Sequence, residues 1–144
     1  MATVHDILDR KGREVVTVDA AATVLQAARR MNERGIGGLV VMEGSRLVGV
    51  FTERDVLRRV VAEGRDPART AVREVMTAPV LRCGPDAPLD ECRVLMTDRR
   101  IRHLPVVEQD ELRGIVTTGD LLAHQVREQQ DKIEFLNSYV FDIR

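Results

Sequence analysis

Shifted by 65 places, the chain aligns with itself without a gap. Val15 meets Val80, Met31 meets Met96, Arg34 meets Arg99, Ile36 meets Ile101 and Leu39 meets Leu104. Val41 meets Val106, Leu47 meets Leu112 and Gly49 meets Gly114, and Thr52 and Asp55 meet Thr117 and Asp120. A fixed internal offset constrains the fold more than any local propensity, because both copies must satisfy one chain geometry. Two copies predict a pseudo-twofold pair, not a solenoid.

Each copy reads β-α-β-β-α. In the first, "VVTV" (15–18) predicts a strand and "ATVLQAARRMNERG" (22–35) a helix. Thr23 and Gln26 make a capping box, Leu25, Ala27, Ala28 and Met31 an apolar stripe, and Gly35 a C-terminal stop. "GLVVMEGSRLVGVFT" (38–52) reads as two strands turning at "EGS", and "ERDVLRRVVAEG" (53–64) as a second helix. In the second copy "VLRC" (80–83) is the expected strand, "PLDECRVLMTDRR" (88–100) the helix, "HLPVVEQDELRGIVT" (103–117) the hairpin and "TGDLLAHQVREQQ" (118–130) the last helix. "VREVMTAPV" (72–80) echoes "VHDILDRKGREVV" (4–16), so the repeat reaches upstream of its strand. Neither half can bury both faces of so small a sheet alone. The fold class is therefore α/β (α+β), two repeats packed sheet to sheet about a pseudo-twofold axis with a cleft between them. The predicted division is repeat 1 at 1–66, repeat 2 at 67–126 and a helical extension at 127–144.

Charge and motif content restrict function. Lys and Arg number 22 against 23 Asp and Glu, interspersed, for a net charge of -1, which disfavours nucleic acid and anionic lipid as partners. No run approaches the ~18 apolar residues of a membrane span. "MATVHDILDR" carries acids and no apolar core, so it is not expected to be a signal peptide. Cys83 and Cys92 align with Val18 and Ala27, small core positions, and form no CxxC. These features predict a cytoplasmic protein. His5, His103 and His124 have no partners at metal-ligand spacing, so no metal is expected. No P-loop, GxGxxG or nucleophile triad occurs, and no catalysis is expected.

The ending "GVFTERD" (49–55) returns as "GIVTTGD" (114–120). Thr-x-x-Asp before an apolar helix is a capping box in its own right. The same carboxylate has capacity to accept from a ribose diol, and a helix start favours phosphate. Both roles fit.

With "RIRHLPVVEQDELRGIVTTGDLL" the chain resembles tandem CBS domains, the Bateman module, over about residues 5–125. The twice-repeated G-h-h-T-x-x-D-h ending (h, apolar) and "HLPVV" carry the resemblance. It implies a sensor that binds an adenosine-containing ligand (AMP, ADP, ATP, NAD(H) or S-adenosylmethionine) in the central cleft and signals occupancy to a partner not identifiable from sequence. The alternatives are an S-adenosylmethionine sensor and a structural dimerisation module with a vestigial cleft. The resemblance assigns Thr52, Asp55, Thr117 and Asp120 to ligand, with Asp on ribose. It places adenine near Val16, Thr17, Leu39, Val80, Leu81, Leu104 and Pro105. Gly38 corresponds to His103 and Thr17 to Arg82, so the two pockets differ. Arg54, Arg102 and His103 are the candidate phosphate cations.

Val126, Ile133, Leu136 and Val140, with Phe135, Tyr139 and Phe141, give the tail an apolar helical stripe. It predicts a subunit contact, and with the resemblance a homodimer; the alternative is docking on the chain's own core.

Overall fold

A computed structural model describes residues 1–142, with side chains described to Ser138. Tyr139, Val140 and Phe141 of the predicted stripe therefore lie outside the described side chains. The elements run α1 (Val4–Lys11), β1 (Thr17–Asp19), α2 (Val24–Arg34), β2 (Gly38–Glu43), β3 (Arg46–Thr52), α3 (Glu53–Asp55), α4 (Val72–Val75), α5 (Leu89–Arg99), β4 (His103–Glu108), β5 (Glu111–Thr117) and α6 (Thr118–Asp142). α3 continues directly as a π-helical segment, Val56–Val61. One mixed sheet, β1-β2-β3, and one antiparallel pair, β4-β5, are related by the pseudo-twofold axis.

The helix limits follow from capping chemistry. At the start of α2, Gln26 N–H donates to Thr23 Oγ1 and Thr23 N–H to Gln26 Oε1. Gly35 closes α2 in the left-handed region at φ 63°. Val24, Ala27 and Met31 form the buried face of α2, with Leu25 and Ala28 at its margin.

The expected strand at 80–83 shrinks to one bridge, Cys83 to Val106, parallel. Its counterpart in the first repeat is the pair Val18–Val41 in β1 and β2. There, Val40 N–H donates to Val16 C=O and Ala20 N–H to Met42 C=O. The second repeat has Pro105 and Pro85 at the two donor positions. Proline has no N–H, so two of the ladder bonds are lost and only those through Cys83 remain.

The short helices exchange halves. Val4, Ile7 and Leu8 of α1 join the core of repeat 2 with Leu89, Cys92, Met96, Leu104 and Val116. Val72 and Val75 of α4 join the core of repeat 1 with Val24, Leu39, Val41 and Phe51. The backbone bonds match: Val4 N–H to Ala87 C=O and Leu89 N–H to Ala2 C=O, against Val72 N–H to Ala22 C=O and Val24 N–H to Thr70 C=O. Two glycines make room. A Cβ at Gly114 would lie 2.7 Å from Leu8 Cδ2, and one at Gly49 would overlap the Met76 side chain. Cys83 and Cys92 are free thiols within or against the second core.

Candidate functional site

Both Thr-x-x-Asp segments form capping boxes. Thr52 N–H donates to Asp55 Oδ2 at 3.0 Å and Asp55 N–H to Thr52 Oγ1 at 3.4 Å. Thr117 N–H donates to Asp120 Oδ2 at 2.9 Å and Asp120 N–H to Thr117 Oγ1 at 3.1 Å. Each helix start is also tied to the turn before the neighbouring strand, by Glu53 N–H to Gly37 C=O and Thr118 N–H to Arg102 C=O. Those bonds fix each carboxylate beside the turn that opens the hairpin of its own half.

The two carboxylates then differ. Asp55 is 5% exposed; its Oδ1 accepts from Thr77 Oγ1 at 3.0 Å and lies 3.7 Å from Arg59 Nε. Asp120 is more open, and its Oδ2 pairs with Lys11 Nζ at 2.7 Å. Among the described residues its Oδ1 accepts no hydrogen bond.

A cleft of about 460 Å³ opens on the Asp55 side. Thr52, Glu53, Arg54 and Asp55 of repeat 1 form one wall. The opposite wall is Arg99 to His103 of repeat 2, with Thr117 and Thr118. Val50, Pro79, Val80 and Leu81 supply its apolar surface.

Eight of the residues singled out by sequence line this cleft: Thr52, Arg54, Asp55, Val80, Leu81, Arg102, His103 and Thr117. The others lie elsewhere. Leu39 and Leu104 are fully buried in the two cores, and Val16 packs against the first. Pro105 is buried on β4, and Arg82 is exposed away from the cleft. Thr17 faces a separate shallow groove with Arg29 and Arg30 of α2. Gly38 is buried against the His103 ring, where a Cβ would come within 2.9 Å of it. Asp120 sits off the cleft lining, held by Lys11.

Sequence reasoning passed over Thr77, Arg99, Arg100 and Lys11. Arg99 was visible as the repeat partner of Arg34, and Arg100 as an arginine where the first repeat has its helix-ending Gly35. Thr77 and Lys11 carried no local signal; they follow the exchanged helices.

Burial lowers the His103 pKa below its ordinary 6.5, and the Arg102 guanidinium lowers it further against weaker opposition from Glu53. The imidazole is therefore neutral at pH 7 and serves as a polar wall. The cationic character of the cleft comes from arginine.

Two like-folded halves with an acid at each helix start and a cleft between them define a paired-repeat module. The CBS domain family model matches twice, at residues 3–62 and 72–127, and the chain belongs to that family. It is 33% identical over 149 aligned residues to a CBS domain-containing protein, CBSX3, mitochondrial, of Arabidopsis thaliana, covering 96% of this chain and 71% of that one. A putative signal-transduction protein with CBS domains from Burkholderia ambifaria superposes with a TM-score of 0.86 at 41% identity, covering 89% of this chain and 96% of that one. The CBS domain pair of protein MJ0100, solved with 5-methylthioadenosine and S-adenosyl-L-methionine, superposes with a TM-score of 0.78 at 25% identity, covering 89% and 98%.

Proposed function

We propose that this CBS pair is a non-catalytic sensor that takes an adenosine-containing nucleotide in the cleft beside Asp55 and passes its occupancy to a partner protein. The observation that carries this is the cleft itself. Its volume falls within the ~300–1,000 Å³ of small-molecule sites, and it joins an apolar wall to a buried carboxylate and several arginines. The apolar wall of Val50, Pro79, Val80 and Leu81 suits a base, Asp55 a ribose diol and the arginines phosphate.

A ribose hydroxyl reaching Asp55 Oδ1 replaces the Thr77 hydroxyl there. One O–H···O⁻ bond is exchanged for another, which costs little. Thr77 belongs to the segment between the halves, directly after α4. Its release changes how that segment is held, a physical route from occupancy to the relative packing of the repeats. On the other side, Lys11 holds Asp120 Oδ2 and Asp120 does not line the cleft, so the Asp55 side is the site assigned to ligand.

The nucleoside complex of MJ0100 supports the adenosine moiety. The S-adenosylmethionine alternative is less favourable electrostatically, because its sulfonium is cationic and so is this cleft. A thermal-shift screen of AMP, ADP, ATP, NAD, NADH and S-adenosylmethionine tests the reading. A ligand at about a hundred times its dissociation constant adds roughly 2.7 kcal/mol, readily seen as a raised Tm. No shift with any of them leaves the structural dimerisation module in its place.

Homodimerisation belongs to the same reading. Leu57 and Val61 are 62% and 65% exposed, and their repeat counterparts Leu122 and Val126 are 63% and 42% exposed. Ile133, Phe135 and Leu136 of α6 are at least half exposed, so these three side chains do not dock on the core. An apolar pair presented by both halves is satisfied by a second copy in twofold symmetry. Light scattering at tens of micromolar tests this: a dimer is expected, weakened by Leu57→Glu with Leu122→Glu or by ending the chain after Gln130. No helix of the described residues is long and apolar enough to cross a membrane. A cytoplasmic setting fits the free thiols, and fractionation separates it from the organelle named for the Arabidopsis relative.

A further inference from the structure

Four arginines line the cleft, Arg54, Arg99, Arg100 and Arg102, and none of them pairs with a carboxylate among the described residues. They come from both halves. Arg54 Nη1 donates to the Arg100 carbonyl at 3.2 Å, which fixes one guanidinium beside the backbone of another cationic residue. The acids on the same walls do not neutralise them. Asp55 is turned to Thr52, Thr77 and Arg59, and the Glu53 carboxylate lies over Gly37. This excess of positive charge stands in a chain whose net charge is -1.

The first repeat is an internal control. Arg34, the counterpart of Arg99, is paired with Glu14. Gly35 and Gly37 stand where the second repeat has Arg100 and Arg102. Gly35 ends its helix at φ 63°, and Arg100 ends the equivalent helix at φ 55°. The second repeat thus keeps a side chain in a backbone region that favours glycine, at a residue that lines the cleft. A helix C-terminus favours one cation through its dipole, but not four lining one cleft from two segments. A strained residue in a cleft wall marks a functional position.

We propose that the cleft selects nucleotides with an extended polyphosphate chain, Arg54 and Arg102 taking the first phosphate and Arg99 and Arg100 distinguishing a triphosphate from a monophosphate. The proposal rests on the cleft being the nucleotide site. Its planar forks match phosphate oxygens in pairs, and each further phosphate meets a further guanidinium.

Calorimetric titrations at low ionic strength with EDTA, using adenosine, AMP, ATP and inorganic tripolyphosphate, test it. ATP is expected to bind at least about tenfold more tightly than AMP, the scale of one added charge-assisted contact, and tripolyphosphate to displace it. In Arg99→Gln/Arg100→Gly, ATP should weaken at least about tenfold and AMP much less. The glycine is the residue the first repeat uses at that position, so the fold is kept, and circular dichroism verifies it. Equal affinities for AMP and ATP, or an unchanged ratio in the double variant, would overturn the polyphosphate assignment and leave the nucleoside site standing. Binding of tripolyphosphate without any adenosine compound would support the arginine row and overturn the nucleoside reading. Silence from all four compounds would overturn both.

Discussion

Lys11 Nζ lies 2.7 Å from Asp120 Oδ2, joining the end of the first helix to the start of the last. The pseudo-twofold counterpart is Thr77 on Asp55, a neutral hydroxyl in place of an ammonium. The Lys11 and Asp120 side chains are 30% and 21% exposed, so the pair is partly desolvated. Lys11→Met is expected to lower unfolding free energy by about 1 kcal/mol in urea, above the median for an open surface pair. A variant as stable as the native chain would show that the pair holds nothing together.

Leu8 against Gly114 tests the exchange of short helices. Leu8→Ala empties a fully buried site and should cost about 3 kcal/mol. Gly114→Ala forces a methyl against Leu8 and should cost about 1–3 kcal/mol. In the double variant the new methyl occupies space that Leu8 has left, so its loss should be less than the sum of the two single losses. Strict additivity in denaturant unfolding would mean that the two residues do not touch.

The sequence carried the repeat, the helices and both hairpins because they are set by local periodicity and caps. It also carried the reason for the missing strand, in Pro85 and Pro105, but that reason only becomes visible once the strand partners are known. The exchange of α1 and α4 was hidden. Val4 and Val72 are 68 apart whereas the rest of the repeat is 65 apart, and which half a short apolar helix covers is a tertiary matter. Thr-x-x-Asp was legible as a site, yet the difference between Asp55 and Asp120 depends on Thr77 and Lys11, which reach them through those exchanged helices.

Arg100 and Gly35 give opposite results under substitution. Arg100→Gly removes a side chain from a left-handed residue at φ 55° and should raise stability by about 1 kcal/mol. Gly35→Ala places one there and should lower it by a similar amount. Thermal denaturation of both variants provides the check, and a loss in Arg100→Gly would mean that the side chain contributes packing that outweighs its backbone cost.

His103 sets a pH dependence. Its folded pKa lies below the 6.5 of the exposed group, so between those two values the unfolded chain binds more protons than the folded one. Stability should therefore rise with pH through that window and fall on acidification below about pH 6.5. The groups acting on the ring are Arg102, Glu53, Lys11 and Asp120. His103→Gln should flatten this part of the urea-midpoint profile. Glu74, whose carboxyl is held below 4.5 by the Ala71 amide and Arg65, acts in a separate, more acidic window.

The most direct measurement is calorimetric titration of the native chain and of Asp55→Asn with ATP. Asparagine keeps an acceptor for the Thr52 amide and removes the charge offered to ribose. The native chain is expected to bind saturably, and Asp55→Asn about ten- to a hundredfold more weakly, the loss of a charge-assisted hydrogen bond. Unchanged affinity in a folded Asp55→Asn, or no binding by the native chain to any adenosine compound, would contradict a nucleotide site at Asp55.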